Sequence, residues 1–96
     1  LTTPNDHAKK GLDISKNSFE VNKSILKIAR NRNLAYWDFY TVMGGKNSIN
    51  QWFSDSLAAR DLVHLSIKGY CLKAELFYNA LLKVYDNKIN ELDSFK

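Results

Sequence analysis

Asp61 and His64 stand three positions apart in the stretch Asp61-Leu62-Val63-His64-Leu65-Ser66-Ile67-Lys68-Gly69-Tyr70. On a tight turn, that spacing lets a carboxylate accept the imidazole Nδ1 proton, which fixes the tautomer and leaves Nε2 free as a base. Nucleophilic hydrolysis needs such a base. The bare Asp-x-x-His spacing also arises by chance, and its plain alternative is a surface ion pair near a helix start. Cys71 follows on the next helix and reads as a buried small thiol rather than a nucleophile. As the only cysteine it closes no internal disulfide, and with His7 and His64 it makes no zinc spacing, so neither metal nor cofactor is expected. His7, beside Asp6, has no partner pattern and is expected at the solvent. Asp38 is expected to hydrogen-bond the amides of the following loop.

The elements that must position this pair follow from periodicity. Thr2 to Lys16 is polar and reads as a loop leading into a helix over about 17–32, capped by Asn17 or Ser18 with Glu20 in reach. Val21, Ile25, Ile28 and Ala29 form its apolar face, and Lys23, Lys27 and Arg30 another. Leu34 to Tyr40 is a continuous run of large apolar and aromatic residues, which suits a strand covered on both faces, broken by Gly44-Gly45. Ser48 and Gln51 have the spacing of a capping box and open a short helix over about 49–55. A turn over 57–66 carries Asp61 and His64. A last helix runs over about 67–85, capped by Ser66, with Tyr70, Ala74, Phe77, Leu81 and Val84 on its buried face, and the polar tail from Asp86 is expected to fray. A lone strand of parallel type needs neighbours for its backbone groups, and the chain offers no second convincing strand. These residues therefore read as part of a larger sheet domain whose other strands lie upstream of Leu1.

Composition bounds the class without giving the chemistry. The chain has 96 residues, 45% hydrophobic and 25% charged, which fits one folded domain and excludes a disordered or collagen-like chain. A net charge of +4 permits an anionic partner without demanding one. The basic stripe Lys23, Lys27 and Arg30, with Lys9, Lys10 and Arg32 nearby, has no aromatic residue between Lys23 and Arg32, so it reads as a solvated face and no nucleic acid is expected. No segment approaches the roughly 18 unbroken apolar residues that a bilayer span needs. The opening residues lack Met, a basic n-region and an apolar h-region, so any signal peptide is expected to be removed or to lie further upstream.

Trp37-Asp38, Met43-Gly44-Gly45, Ser48, Trp52, Leu57-Ala58, Asp61, His64, Gly69-Tyr70 and the closing amphipathic helix together resemble the C-terminal part of bacterial SGNH-type (GDSL-like) lipases and acylhydrolases. Thr3-Pro4-Asn5-Asp6 resembles the loop after that family's fourth strand, and Leu34 to Phe39 its fifth. The resemblance implies an α/β fold, a C-terminal fragment of a three-layer α/β/α, flavodoxin-like domain that is mostly helical with one parallel-type strand. It also implies that Asp61 and His64 complete a Ser-His-Asp triad acting on an acyl ester, with a carbohydrate ester among the candidates, in an extracytoplasmic setting.

The family's Gly-Asp-Ser nucleophile block and its oxyanion-hole Gly and Asn are missing. Ser15, Ser18, Ser24, Ser48, Ser54, Ser56, Ser66 and Ser94 are present, but none follows Gly-Asp or sits on a Gly-x-Ser-x-Gly elbow. A base without nucleophile and oxyanion hole lacks the parts that supply most of the rate. The expectation is an inactive half that requires its missing N-terminal half and forms a homodimer in isolation, by strand addition or exchange of the last helix. The alternative is a small basic helical interaction module in which Asp61 and His64 are incidental.

Overall fold

The computed structural model describes residues 1–8 and 15–93. It is an α-rich small domain with little strand. Its helices are α1 (Ser15–Asn31), α2 (Phe39–Val42), α3 (Ser48–Ser54) and α4 (Ile67–Asp93). The three helices expected from periodicity are present. α4 continues through the polar tail to residue 93 instead of fraying at 86. That tail contains no Gly or Pro, and Lys88 Nζ lies 3.7 Å from Glu91 Oε2 one turn away.

The expected strand over 34–40 is cut short. Only Trp37 pairs, in a parallel bridge with Thr2, and the chain then turns into α2. The Leu1 ammonium donates to the Ala35 carbonyl at 2.9 Å, Trp37 N–H to Leu1 O at 2.8 Å, and Thr3 N–H to Trp37 O at 3.0 Å. The partner strand is therefore the opening segment, whose polar sequence reads as loop. Asp38 ends the extended stretch: its carboxylate accepts Thr41 N–H at 3.2 Å and the Thr41 hydroxyl at 2.7 Å, capping α2 in the expected manner. A short apolar run does not by itself distinguish a buried strand from a buried helix, and here Asp38 with Thr41 decides for helix. Trp37 directs both its backbone groups at the Leu1–Thr3 segment, so the N–H and C=O of Thr2 point the other way and form an open sheet edge.

The core lies close under this pair. Phe39, Met43, Ile49, Trp52, Ala58 and Leu65 cluster together, with Leu72 and Leu76 of α4 against them. Trp52 meets Phe39 edge-on at 5.7 Å and donates its indole N–H to Met43 O at 2.9 Å. Trp37 sits between Phe39 and Phe77, with ring centroids 5.2 and 5.1 Å away.

Polar residues complete the interior. Asp6 is fully buried, and its Oδ2 accepts Ile49 N–H at 3.2 Å, so the first turn of α3 is capped from 43 residues upstream. The expected capping box does not form. Ser48 lies inside the helix with its hydroxyl on Gly45 O, and Gln51 reaches forward to Asp55. Replacing Asp6 by Ala should therefore cost about 1–3 kcal/mol by leaving the Ile49 amide unpaired. Replacing the exposed Gln51 by Ala should cost less than about 0.5 kcal/mol. Urea denaturation of the two variants measures the contrast.

The two long helices bury other faces than the periodicity predicts. α1 turns Ser18, Asn22 and Ala29 inward and leaves Val21 and Ile28 exposed. Ser18 is thus a core residue and not a cap: its Oγ accepts His7 N–H at 3.1 Å and lies 2.8 Å from His7 Nδ1. His7, expected at the solvent, is half-buried by this contact. On α4 the inward face is Gly69, Leu72, Lys73, Leu76 and Ala80, whereas Tyr70, Ala74, Phe77, Leu81 and Val84 are exposed. Gly69 sets that rotation, because its Cα side lies against the Leu57 carbonyl, where no side chain fits.

The result is a slab. Its extents are 59 × 30 × 15 Å and its radius of gyration is 15.8 Å, against about 12–13 Å for a compact chain of this length. Among the described residues no helix is long and apolar enough to cross a membrane.

Candidate active site

The turn over 57–66 is built as a narrow hairpin. Ala58 and Leu65 form an antiparallel bridge, Ala59 N–H donates to His64 O at 2.9 Å, and Ser66 N–H donates to Leu57 O at 3.0 Å. Leu62 N–H returns to Ala59 O at 3.0 Å, with Leu62 held at φ 55°, a left-handed conformation that costs a leucine roughly 1–2 kcal/mol. Burial of its side chain against the core offsets that cost. The segment after Thr3 clamps the turn from outside, with Ala8 N–H on Leu62 O at 2.8 Å and Asn5 Nδ2 on Val63 O at 2.9 Å. On the other side Ser66 caps α4 as expected: its Oγ accepts Gly69 N–H at 3.1 Å and donates to Ser56 O at 2.8 Å.

This frame brings Asp61 and His64 together. Asp61 Oδ1 accepts the amides of Val63 and His64, both at 2.9 Å, while Oδ2 lies 2.6 Å from His64 Nδ1. The hydrogen bond from His64, followed by the two amides, lowers the Asp61 carboxyl to about 2 from its ordinary 3.8. An ionised carboxylate only accepts, so Nδ1 carries the proton and the neutral imidazole is left basic at Nε2. The His64 side chain is 69% exposed and that of Asp61 48%, so the base faces open surface.

The lowered carboxyl pKa carries a pH dependence. The Asp61 contribution to the folded turn is complete above 3.8 and is lost as pH falls toward 2. Carbon-detected NMR should find the Asp61 carboxyl titrating near 2, and in His64→Ala its midpoint should move up, though not fully to 3.8, since the turn's amide bonds persist. An unchanged midpoint in that variant would show that the imidazole bond is not the main cause.

The remaining candidates stand apart. Cys71, expected buried, is exposed on α4. The hydroxyls of Ser18, Ser48 and Ser66 are each engaged in the contacts above. Lys23, Lys27 and Arg30 line a shallow hollow on α1 with Glu20, Ser24 and Leu26, while Lys9, Lys10 and Ser94 lie outside the described residues. Among the described residues no group of three or more His, Cys, Asp or Glu side chains is placed to hold a metal ion. Sequence reading missed Asn5 and Ala8. Their link to the turn spans more than fifty positions and uses one side-chain amide and one backbone N–H, neither of which leaves a periodic signal. No family model, no curated protein and no solved structure matches the chain.

Proposed function

We propose that the chain is the base-bearing C-terminal part of a serine ester hydrolase of the SGNH (GDSL-like) type, inactive without the half that carries serine and oxyanion hole. The observation that carries this reading is the Asp61–His64 bond at 2.6 Å with the rest of the imidazole exposed. In the complete α/β/α domain, His64 Nε2 takes the proton of the serine hydroxyl as Oγ attacks the acyl carbonyl, then gives it to the departing alcohol oxygen. Water repeats the sequence on the acyl-enzyme. Asp61 holds the tautomer and stabilises the imidazolium. The substrate is an acyl ester, with a carbohydrate as one candidate alcohol.

Two further features support the reading. The parallel pairing of Leu1–Thr3 with Ala35–Trp37 leaves an open edge at Thr2 where a sheet can continue, and α1 leaves Val21 and Ile28 uncovered. The test joins the chain to an upstream segment bearing a Gly-Asp-Ser block and the oxyanion residues. Hydrolysis of a short-chain aryl ester is expected from the joined protein and not from the 96 residues alone. His64-dependent turnover by the isolated chain would overturn the inactive-half reading.

The basic hollow on α1 favours a second reading, a helical module that binds an acidic protein partner. Binding that weakens with salt and with Lys27→Glu, from a chain whose joined form hydrolyses nothing, would favour it.

A further inference from the structure

The exposed apolar side of α4 has a regular seam. Ile67, Tyr70, Ala74, Phe77, Leu81 and Val84 alternate at spacings of three and four, the a and d positions of a heptad, and all six are exposed. The seam ends where Lys88 takes the next a position. It lies beside the face that packs against the core, except that Phe77 also meets the Trp37 ring at 5.1 Å, and it is most open at Ile67 and Val84, 86% and 67% exposed. Its flanks hold Cys71, Tyr78 and Tyr85 on one side and Lys73, Ala80 and Asn87 on the other. Only Lys73 among these is charged, and its ammonium rests 4.6 Å from the Phe39 ring centroid.

We propose that this seam pairs with the same seam of a second copy, the two α4 helices running antiparallel about a two-fold axis between Ala74 and Phe77. That register sets Ala74 of one copy beside Phe77 of the other, Tyr70 beside Leu81, and Ile67 beside Val84. Each layer then matches a small or medium side chain with a larger one. A parallel pair would stack Phe77 on Phe77 and Ala74 on Ala74, leaving alternate clashes and voids. The exposed parts of the six residues with Tyr78 and Tyr85 amount to on the order of 800 Å², a ceiling that reaches the share each partner gives to a standard stable interface when the second copy covers both tyrosines as well as the seam. The flanks bring no like charges together, so nothing opposes closure. This inference rests on α4 alone and not on the esterase reading.

Sedimentation equilibrium of the chain should give a dimer at micromolar concentration. Leu81→Glu buries a carboxylate in two layers and should raise the dissociation constant by at least about 30-fold with helix content unchanged. Ile28→Glu on the exposed face of α1 should leave it unchanged. Paramagnetic labels on Cys71 should report a short separation, because the proposed register puts the two Cys71 Cα atoms roughly 15–20 Å apart. A monomer up to several hundred micromolar would overturn the pairing. So would a dimer that survives Leu81→Glu, one that Ile28→Glu dissociates, or labels more than about 35 Å apart, the last of which would point to joining at the Thr2 edge instead.

Discussion

Alanine at Gly69 is expected to detach α4 from the Asp61–His64 turn. A Cβ at that position would stand 1.9 Å from the Leu57 carbonyl oxygen and 3.1 Å from Leu65 Cβ. The first of these neighbours is backbone in the hairpin that carries the pair, so no side-chain rotation relieves the contact. Either α4 moves outward or the hairpin does, and both strain the bonds that Ser66 makes across to Leu57 O and Ser56 O. Overpacking of this kind costs about 3 kcal/mol or more, a large fraction of the ~5–10 kcal/mol that holds a domain of this size together. The midpoint of thermal or urea unfolding should fall accordingly, and the amide resonances of Asp61 to His64 should shift even where the variant stays folded. A variant that melts with its parent and keeps those resonances would show that α4 does not fix the turn.

In the joined protein, His64→Ala should reduce kcat by about 10⁴- to 10⁶-fold while KM changes little, because a triad base acts on the transition state more than on bound substrate. Asp61→Asn should lose nearly as much. An amide that donates toward Nδ1 selects the tautomer with the proton on Nε2, which removes the base without removing the imidazole. Steady-state rates of the two variants and of the double variant decide the matter. The double should be little worse than either single if the residues act as one unit, and independent losses that multiply would count against the pair.

What the sequence made legible was mostly local. The helix bounds near residues 17, 49 and 67 follow from apolar spacing, and the Ser66 cap and the Asp61–His64 contact from side chains within a turn of one another. The misreadings share a cause in distance along the chain. Asp6 caps α3 and Thr3 accepts the Tyr40 amide from more than thirty positions away, so segments that read as polar loop proved to be buried. The apolar faces of α1 and α4 were found by their spacing, but spacing cannot say which part of a broad stripe turns inward. On α4 a glycine decided it through a backbone contact that has no periodicity. Leu34 to Tyr40 failed for a third reason: its composition suits burial, and only Asp38 with Thr41 marks where extended chain gives way to helix.

α4 outlasts the body that it packs on. Its 27 residues span about 40 Å, yet inward-facing positions end at Ala80, and Asp86 to Asp93 are exposed on every side. The amides of that outer stretch are held by the helix's own hydrogen bonds on a segment exposed all round, so they should trade hydrogen for deuterium within the dead time of ordinary mixing. Those between Leu72 and Ala80 should exchange only when the whole core opens. One continuous helix would therefore display both extremes of local opening, and the boundary between fast and slow amides would mark, residue by residue, how far the cover over α4 reaches.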